Sequence, residues 1–183
     1  MRKVCFAILF TFLLVIFASA NNVEAQSIKV GLGPRYSYIT LMGSEEEEER
    51  FAGGQLRVKF LSALAVELSI DYRRDFYLED SFRIQTIPAL FSILAYLFPG
   101  KSLSPYIIGG GGWYFSQVTF LVEPFKEYDG EVDFGYHIGG GIEFCLLGKV
   151  GFHLDYRSIM VKLSPLNLKG DGHLISAGIT YYF

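Results

Sequence analysis

From residue 28 to residue 183 apolar and polar positions alternate with a period of two, the pattern of strands with one apolar and one polar face. Residues 132–144 show it most clearly: Val132, Phe134, Tyr136, Ile138, Ile142 and Phe144 fall on one side, Asp133, Gly135, His137, Gly139, Gly141 and Glu143 on the other. Val150, Phe152, Leu154 and Tyr156 oppose Gly151, His153, Asp155 and Arg157 in the same way. Val66, Leu68, Ile70, Tyr72 and Phe76 oppose Glu67, Ser69, Asp71, Arg73 and Asp75. Leu56, Val58 and Phe60 oppose Gln55, Arg57 and Lys59. Ile28, Val30, Leu32, Tyr36 and Tyr38 oppose Lys29, Gly31, Gly33, Arg35 and Ser37. At the C-terminal end Ile175, Ala177, Ile179, Tyr181 and Phe183 oppose Leu174, Ser176, Gly178, Thr180 and Tyr182.

Two more strands are less clean. Residues 81–98 begin with Arg83 and Gln85 on one face but become apolar on both, and residues 105–120 carry Gly109–Gly112, which hides the phase. The count is eight. The links at 61–64, 98–104 and 146–148 are short; those at 41–50, 121–131 and 160–171 are longer, with 78–80 a short member of the second set. Short turns at one end and longer loops at the other predict an all-β fold, an eight-stranded antiparallel up-and-down transmembrane β-barrel.

Alternation alone does not say which face points outward. A soluble barrel hides its apolar face, and a membrane barrel turns it to lipid. Three features favour lipid. The polar faces are rich in glycine, which weakens a water-facing strand but makes room inside a narrow barrel. Aromatic residues gather near predicted strand ends (Tyr36, Tyr38, Phe76, Tyr96, Tyr106, Tyr156, Tyr181 and Phe183), as in the two interfacial girdles of a membrane barrel. The polar faces also carry both signs: Lys29, Arg35, Arg57, Lys59, Arg73, Arg83 and Arg157 against Glu67, Asp71, Asp75, Asp133, Glu143 and Asp155. Turned inward, these nearly balance. The expected interior network is Arg35, Arg57, Glu67, Asp71, Arg73, Arg83, Asp133, Glu143, Asp155 and Arg157, because unpaired charges there would cost several kcal/mol each.

The first segment follows a different rule. Arg2 and Lys3 precede an apolar run over residues 4–17, and Ala18-Ser19-Ala20 follows. This is the form of a secretory signal peptide spanning 1–20, with a second cut available after Ala25; the run is short for a spanning helix. The barrel domain is then 27–183. Cys5 would leave with the signal, so Cys145 would remain alone, on the inward phase near a short turn.

Composition narrows the classes further. The 183-residue chain is 51% hydrophobic and 16% aromatic, with 20 glycines, only 19% charged residues and a mean hydropathy of +0.31. That excludes a disordered chain. The net charge of −3 argues against nucleic acid, whose phosphates need a basic surface. Loss of residues 1–20 would leave 14 basic against 19 acidic residues, a net charge of −5.

The last strand carries the most specific motif. Ser176, Gly178, Tyr181 and Phe183 match polar-x-Gly-x-x-aromatic-x-aromatic, which resembles the assembly signal of bacterial outer-membrane barrels. Pro105-Tyr106-Ile107-Ile108 followed by Gly109–Gly112, and Phe134-Gly135-Tyr136-His137-Ile138-Gly139-Gly140-Gly141 with Asp155-Tyr156-Arg157, resemble the strands of small OmpA/OmpX-like barrels. The resemblance covers the chain beyond the signal segment; the peptidoglycan-binding domain of OmpA has no counterpart after the last strand. It implies an outer-membrane location, periplasmic termini and longer loops outside. It also implies contact with membrane lipid and lipopolysaccharide, recognition of the last strand by the barrel-assembly machinery, and an extracellular partner for the loops. It implies no single activity.

No candidate chemistry outweighs this structural reading. Glu45, Glu46, Glu47, Glu48 and Glu49 form an external acidic loop, but five consecutive glutamates lack the turn-defined spacing of a calcium site. His137, His153 and His173 show no zinc spacing, so no metal or cofactor is expected. His173 and Ser176 are the only close His/Ser pair, and strand parity puts them on opposite faces; the His-x-Ser-Asn pattern of lipid A deacylase barrels is absent. No enzyme is expected. The leading function is a structural or surface-interaction barrel. The alternatives are a narrow OmpW-like channel for small or hydrophobic solutes and a secreted lipocalin-like ligand-binding barrel.

Overall fold

A computed structural model describes residues 28–41, 49–77, 82–120, 128–163 and 168–183. The expected signal segment and Glu45–Glu48 lie outside these residues. Eight strands follow in order: β1 (Lys29–Leu41), β2 (Glu49–Lys59), β3 (Leu64–Tyr77), β4 (Phe82–Tyr96), β5 (Leu103–Phe120), β6 (Tyr128–Leu146), β7 (Val150–Leu163) and β8 (Leu168–Tyr182). Each pairs antiparallel with its sequence neighbour, and β8 pairs with β1 to close the barrel. Closure leaves no unpaired sheet edge, the condition for a β-structure in lipid. Eight strands also bring both ends of the described chain to one rim, where the Phe183 amide donates to the Val30 carbonyl at 2.9 Å. The three short turns share this turn rim; the opposite end is the loop rim.

Burial follows parity through every described strand. Leu32, Ile70, Phe91, Ile138, Leu154 and Ile179 are exposed on the outer wall, whereas Arg57, Glu67, Asp71, Glu143, Asp155 and Arg157 are buried inside. An apolar exterior around a charged interior is the reverse of a lipocalin and removes the soluble alternative. The two blurred strands keep the same phase. Leu90 and Leu94 of β4 and Ile108 of β5 are apolar residues that point inward, which is why no alternation was visible there.

Three expectations need correction. Tyr96 and Tyr106 do not belong to an outer girdle; they are 6% and 2% exposed, inside the barrel. They share parity with Ser92 and Ser104, a phase that proximity to a strand end obscured. The outer belt instead includes Trp113, Phe134 and Tyr136, packed edge to face at 5.3 and 5.0 Å. Lys29, assigned inward by phase, is exposed at the turn rim. Finally, the strands run well past the length needed to cross a bilayer: β5 and β6 have 18 and 19 residues and pair as far as Thr119↔Tyr128. Spanning takes about 9–11 residues. Segments placed in loops at 121–131 and 160–171 thus partly continue the wall, and Glu49 opens β2 opposite Ile39. Beyond the lipid both faces meet water, so the alternation that reveals a strand fades while its pairing continues.

The closing seam is tight. Paired residues of β1 and β8 pass from Leu32↔Tyr181 directly to Arg35↔Gly178, skipping Gly33 and Pro34, because proline has no N–H for the ladder. The same happens at Pro88, where β3–β4 pairing passes from Ile70↔Ala89 to Arg73↔Thr86. At Gly33 an added Cβ would lie 1.7 Å from the Ile179 carbonyl oxygen, a backbone atom that no rotamer change can move. Gly33→Ala is therefore expected to cost about 3 kcal/mol and to reduce the heat-modifiable folded band on a detergent gel. Gly54→Ala, whose nearest neighbour is 3.8 Å away, should leave that band unchanged.

Candidate functional site: a charged barrel interior

The interior site grows from pairs on neighbouring strands. Arg57 of β2 and Glu67 of β3 are register partners and face inward together. Arg157 and Asp155 sit two apart on β7, so period two puts both on the same face. Arg35 enters from β1. Glu67 accepts from all three arginines: from Arg57 Nε at 3.0 Å and from its Nη2, from Arg157 Nη2 at 2.8 Å, and from Arg35 Nη1 at 3.3 Å. The side chains of these four residues are fully buried.

Three more carboxylates extend the network. Glu143 of β6 accepts from Arg57 Nη1 at 2.8 Å, Lys59 Nζ at 2.6 Å and the Tyr182 hydroxyl at 3.1 Å, and also from the Tyr96 hydroxyl. Asp155 accepts from Arg157 Nε at 2.6 Å, Ser176 Oγ at 2.8 Å and Tyr106 OH at 3.2 Å. Asp71 accepts from Ser37 Oγ at 3.2 Å and lies 3.4 Å from Arg35 Nε. Four cations (Arg35, Arg57, Lys59, Arg157) thus face four anions (Glu67, Asp71, Glu143, Asp155). Taking such ions from water costs several kcal/mol each, and only dense pairing with saturated hydrogen bonds offsets it.

The histidines join by hydrogen bonding. His137 Nε2 and Ser92 Oγ are 2.9 Å apart, and Arg157 Nη1 donates to the same hydroxyl at 3.2 Å. His153 Nδ1 lies 3.4 Å from Gln55 Nε2, which donates to Thr180 Oγ1 at 2.6 Å. Gly178 makes room for the His153 ring, whose Cε1 would be 2.5 Å from a Cβ there. His173 is on the outer wall, stacked on Tyr156 with its Nδ1 2.6 Å from the tyrosine hydroxyl, so it and Ser176 remain on opposite faces.

Arg73 and Asp133 are likewise buried on the inward phase. Arg73 lies towards the loop rim with its guanidinium 5.8 Å from the Phe51 ring, and Asp133 is buried on β6 opposite Tyr114. Arg83 pairs with Phe76 and Thr119 through its backbone; its side chain is outside the described set. Cys145 is partly buried and unbridged. Sequence reasoning missed Ser37, Gln55, Lys59, Ser92, Tyr96, Tyr106 and Tyr182 as network members, although each lies on the inward phase of its strand. Ser176, assigned to the assembly motif, also binds Asp155.

Above the network, towards the loop rim, lies an apolar layer of Ile39, Phe51, Ile159 and Leu174, with Tyr114 packed against it. The lumen is therefore filled by paired charges and closed over by hydrocarbon. Among the described residues no group of three His, Cys, Asp or Glu side chains could hold a metal ion.

An inside-out barrel of this form is the signature of an outer-membrane protein, and residues 10–183 match the family described as outer membrane protein beta-barrel domain. The chain belongs to that family. Its location is the outer membrane, and its apolar wall is the lipid-facing surface. No curated protein matches the chain. Among solved structures it is similar to Neisserial surface protein A, at 12% identity and a TM-score of 0.59 over 88% of this chain and 100% of that one. It is also similar to Ail of Yersinia pestis in complex with the heparin analogue sucrose octasulfate, at 16% identity and 0.56 over 85% and 97%. OprG of Pseudomonas aeruginosa matches at 14% identity and 0.52 over 85% and 95%. At these identities the likeness is one of fold.

The network makes a graded stability prediction. Glu67→Gln leaves three buried guanidinium groups around a neutral amide and should cost about 3–5 kcal/mol. Lys59→Gln removes a partly exposed cation from a carboxylate that keeps Arg57 and two hydroxyls, and should cost about 1 kcal/mol or less. Urea unfolding midpoints in lipid vesicles measure both.

Proposed function

We propose that this protein is a structural and surface-presenting barrel of the outer membrane that turns over no substrate. The observation that carries this reading is the filled lumen: four paired cations and anions across its middle and an apolar layer over them. An eight-stranded barrel is wide enough for side chains and little else. The work of the wall is then to hold the loops at the cell surface.

In this reading a signal peptide over residues 1–20, or 1–25, directs export, and 27–183 forms the barrel domain. The barrel-assembly machinery reads Ser176, Gly178, Tyr181 and Phe183 of the last strand. The short turns and both termini face the periplasm, and the loop rim meets lipopolysaccharide and any extracellular partner. The interior charges hold the wall together and bind no cofactor. Ail appears with a sulfated ligand, but Glu45–Glu49 here would repel sulfate, so an extracellular partner of this chain is expected to be cationic or neutral.

A second reading, a narrow route for small or hydrophobic solutes, rests on the lapses in strand pairing beside Pro34 and Pro88. Purified protein in planar bilayers tests the first reading: no unitary conductance is expected, and sustained open-channel currents would overturn it. Proteoliposomes loaded with an indole-binding reporter test the second, since indole entry above that of protein-free liposomes is expected only if the wall opens laterally.

A further inference from the structure

The β6–β7 turn contains a residue that the fold itself does not explain. Leu147 has φ 53°, the only non-glycine residue with positive φ among those described, and it is 90% exposed. With Gly148 at φ 69° it forms the centre of the three-residue link 147–149, a turn closed by the Lys149 amide donating to the Leu146 carbonyl at 3.1 Å, and two successive positive φ angles favour Asn-Gly or Asp-Gly. Leucine is disfavoured there twice: its Cβ crowds the backbone in the left-handed region, and its side chain stands clear of the barrel. A backbone outlier that local contacts do not reward points to something outside the chain.

The rest of the rim repeats the same pairing of apolar tip and lysine. Leu97 and Phe98 are exposed in the β4–β5 turn, with Lys101 Nζ 5.2 Å from the centre of the Phe98 ring. Lys149 follows Leu147, and Lys29 follows the exposed Ile28. No aspartate or glutamate occurs in residues 59–64, 96–103 or 146–150, so the described rim is basic. An apolar residue flanked by a long cation suits an interface where the alkyl stem lies in hydrocarbon and the charge reaches a headgroup.

We propose that the turn rim docks on anionic phospholipid headgroups: Leu147 and Phe98 enter the upper acyl region, and Lys29, Lys101 and Lys149 pair with lipid phosphates. Which leaflet supplies them rests on the reading that the short turns face the periplasm, which makes it the inner one. A lysine at an anionic surface contributes about fivefold to an equilibrium constant, so three give a measurable lipid dependence.

The test folds the protein into vesicles of phosphatidylcholine alone or mixed with phosphatidylglycerol, at low salt, and follows the temperature at which the gel mobility shift is lost. The wild type is expected to resist higher temperatures in the anionic vesicles. The Lys29→Gln, Lys101→Gln, Lys149→Gln triple variant should lose that gain yet match the wild type in phosphatidylcholine. A gain that survives in the triple variant, or no gain in the wild type, overturns the headgroup contact. An environment-sensitive fluorophore at Leu147→Cys in a Cys145→Ser background should be quenched by shallow spin-labelled lipids; emission typical of water overturns the insertion. Orientation is read separately with Ser62→Cys and a membrane-impermeant maleimide. Labelling only after permeabilisation supports the inner leaflet, whereas labelling in intact cells overturns the leaflet assignment and leaves the vesicle results standing.

Discussion

Glu67 is the point on which the interior turns. Three guanidinium groups, from Arg35, Arg57 and Arg157, reach it from three separate strands, β1, β2 and β7. A single carboxylate in this position ties the first, second and seventh strands across the lumen, which backbone pairing alone never does. Arg57 then extends the network to Glu143, and Arg157 extends it to Asp155, so β6 and β8 are recruited through Glu143 and Ser176. Because the ions are fully buried, each depends on the others: a carboxylate without its arginines, or an arginine without its carboxylate, would be an uncompensated charge in a dry interior. The wall needs this cross-bracing because its outer face gains little from packing against lipid, which is as apolar as the side chains it meets.

The lumen's closure follows from the same arrangement. Long arginine side chains fill the middle, and the glycines opposite them, such as Gly178 against His153, make space for bulky neighbours in a narrow tube. Towards the loop rim the chemistry changes from paired charge to hydrocarbon at Ile39, Phe51, Ile159 and Leu174. An apolar layer there keeps bulk water from the ion pairs, and lower effective dielectric strengthens their attraction. Tyr106 and Tyr96 close the other side, with Lys59 lying 4.7 Å from the Tyr96 ring and 4.4 Å from that of Tyr182. Cation–π contact and a carboxylate together hold this lysine where the lumen meets water.

The strands were legible from period two because lipid and lumen impose opposite demands on successive residues. The signal failed where one of the demands relaxed. In β4 and β5 the inward side is itself apolar at Leu90, Leu94 and Ile108, so the two faces looked alike. Towards the loop rim Gln117 and Thr119 put polar residues on the outward phase and Val118 and Phe120 put apolar ones on the inward phase, so the pattern breaks while the wall continues where loops were expected. The network was legible as a set of inward charges but not as a set of bonds. Parity says that Arg57 and Glu143 share the lumen; it does not say that they meet at 2.8 Å from strands four apart in the order. The tyrosines show a further limit. Tyr156 and Tyr106 are the same residue type near the same kind of strand, and only phase separates the lipid-facing ring from the one bonded to Asp155.

Charge is sorted by height as well as by face. Charge-paired inside the barrel are Arg35, Arg57, Lys59 and Arg157 with Glu67, Asp71, Glu143 and Asp155, a set that carries no net charge. The described turn rim is basic, with Lys29, Lys101 and Lys149, whereas Glu49 opens β2 at the loop rim. A neutral middle lets the barrel sit in lipid without a field across its wall, while opposite rims favour different surroundings. A basic turn rim beside a balanced core thus sets that end apart, and the contrast gives it partners that the lumen does not select.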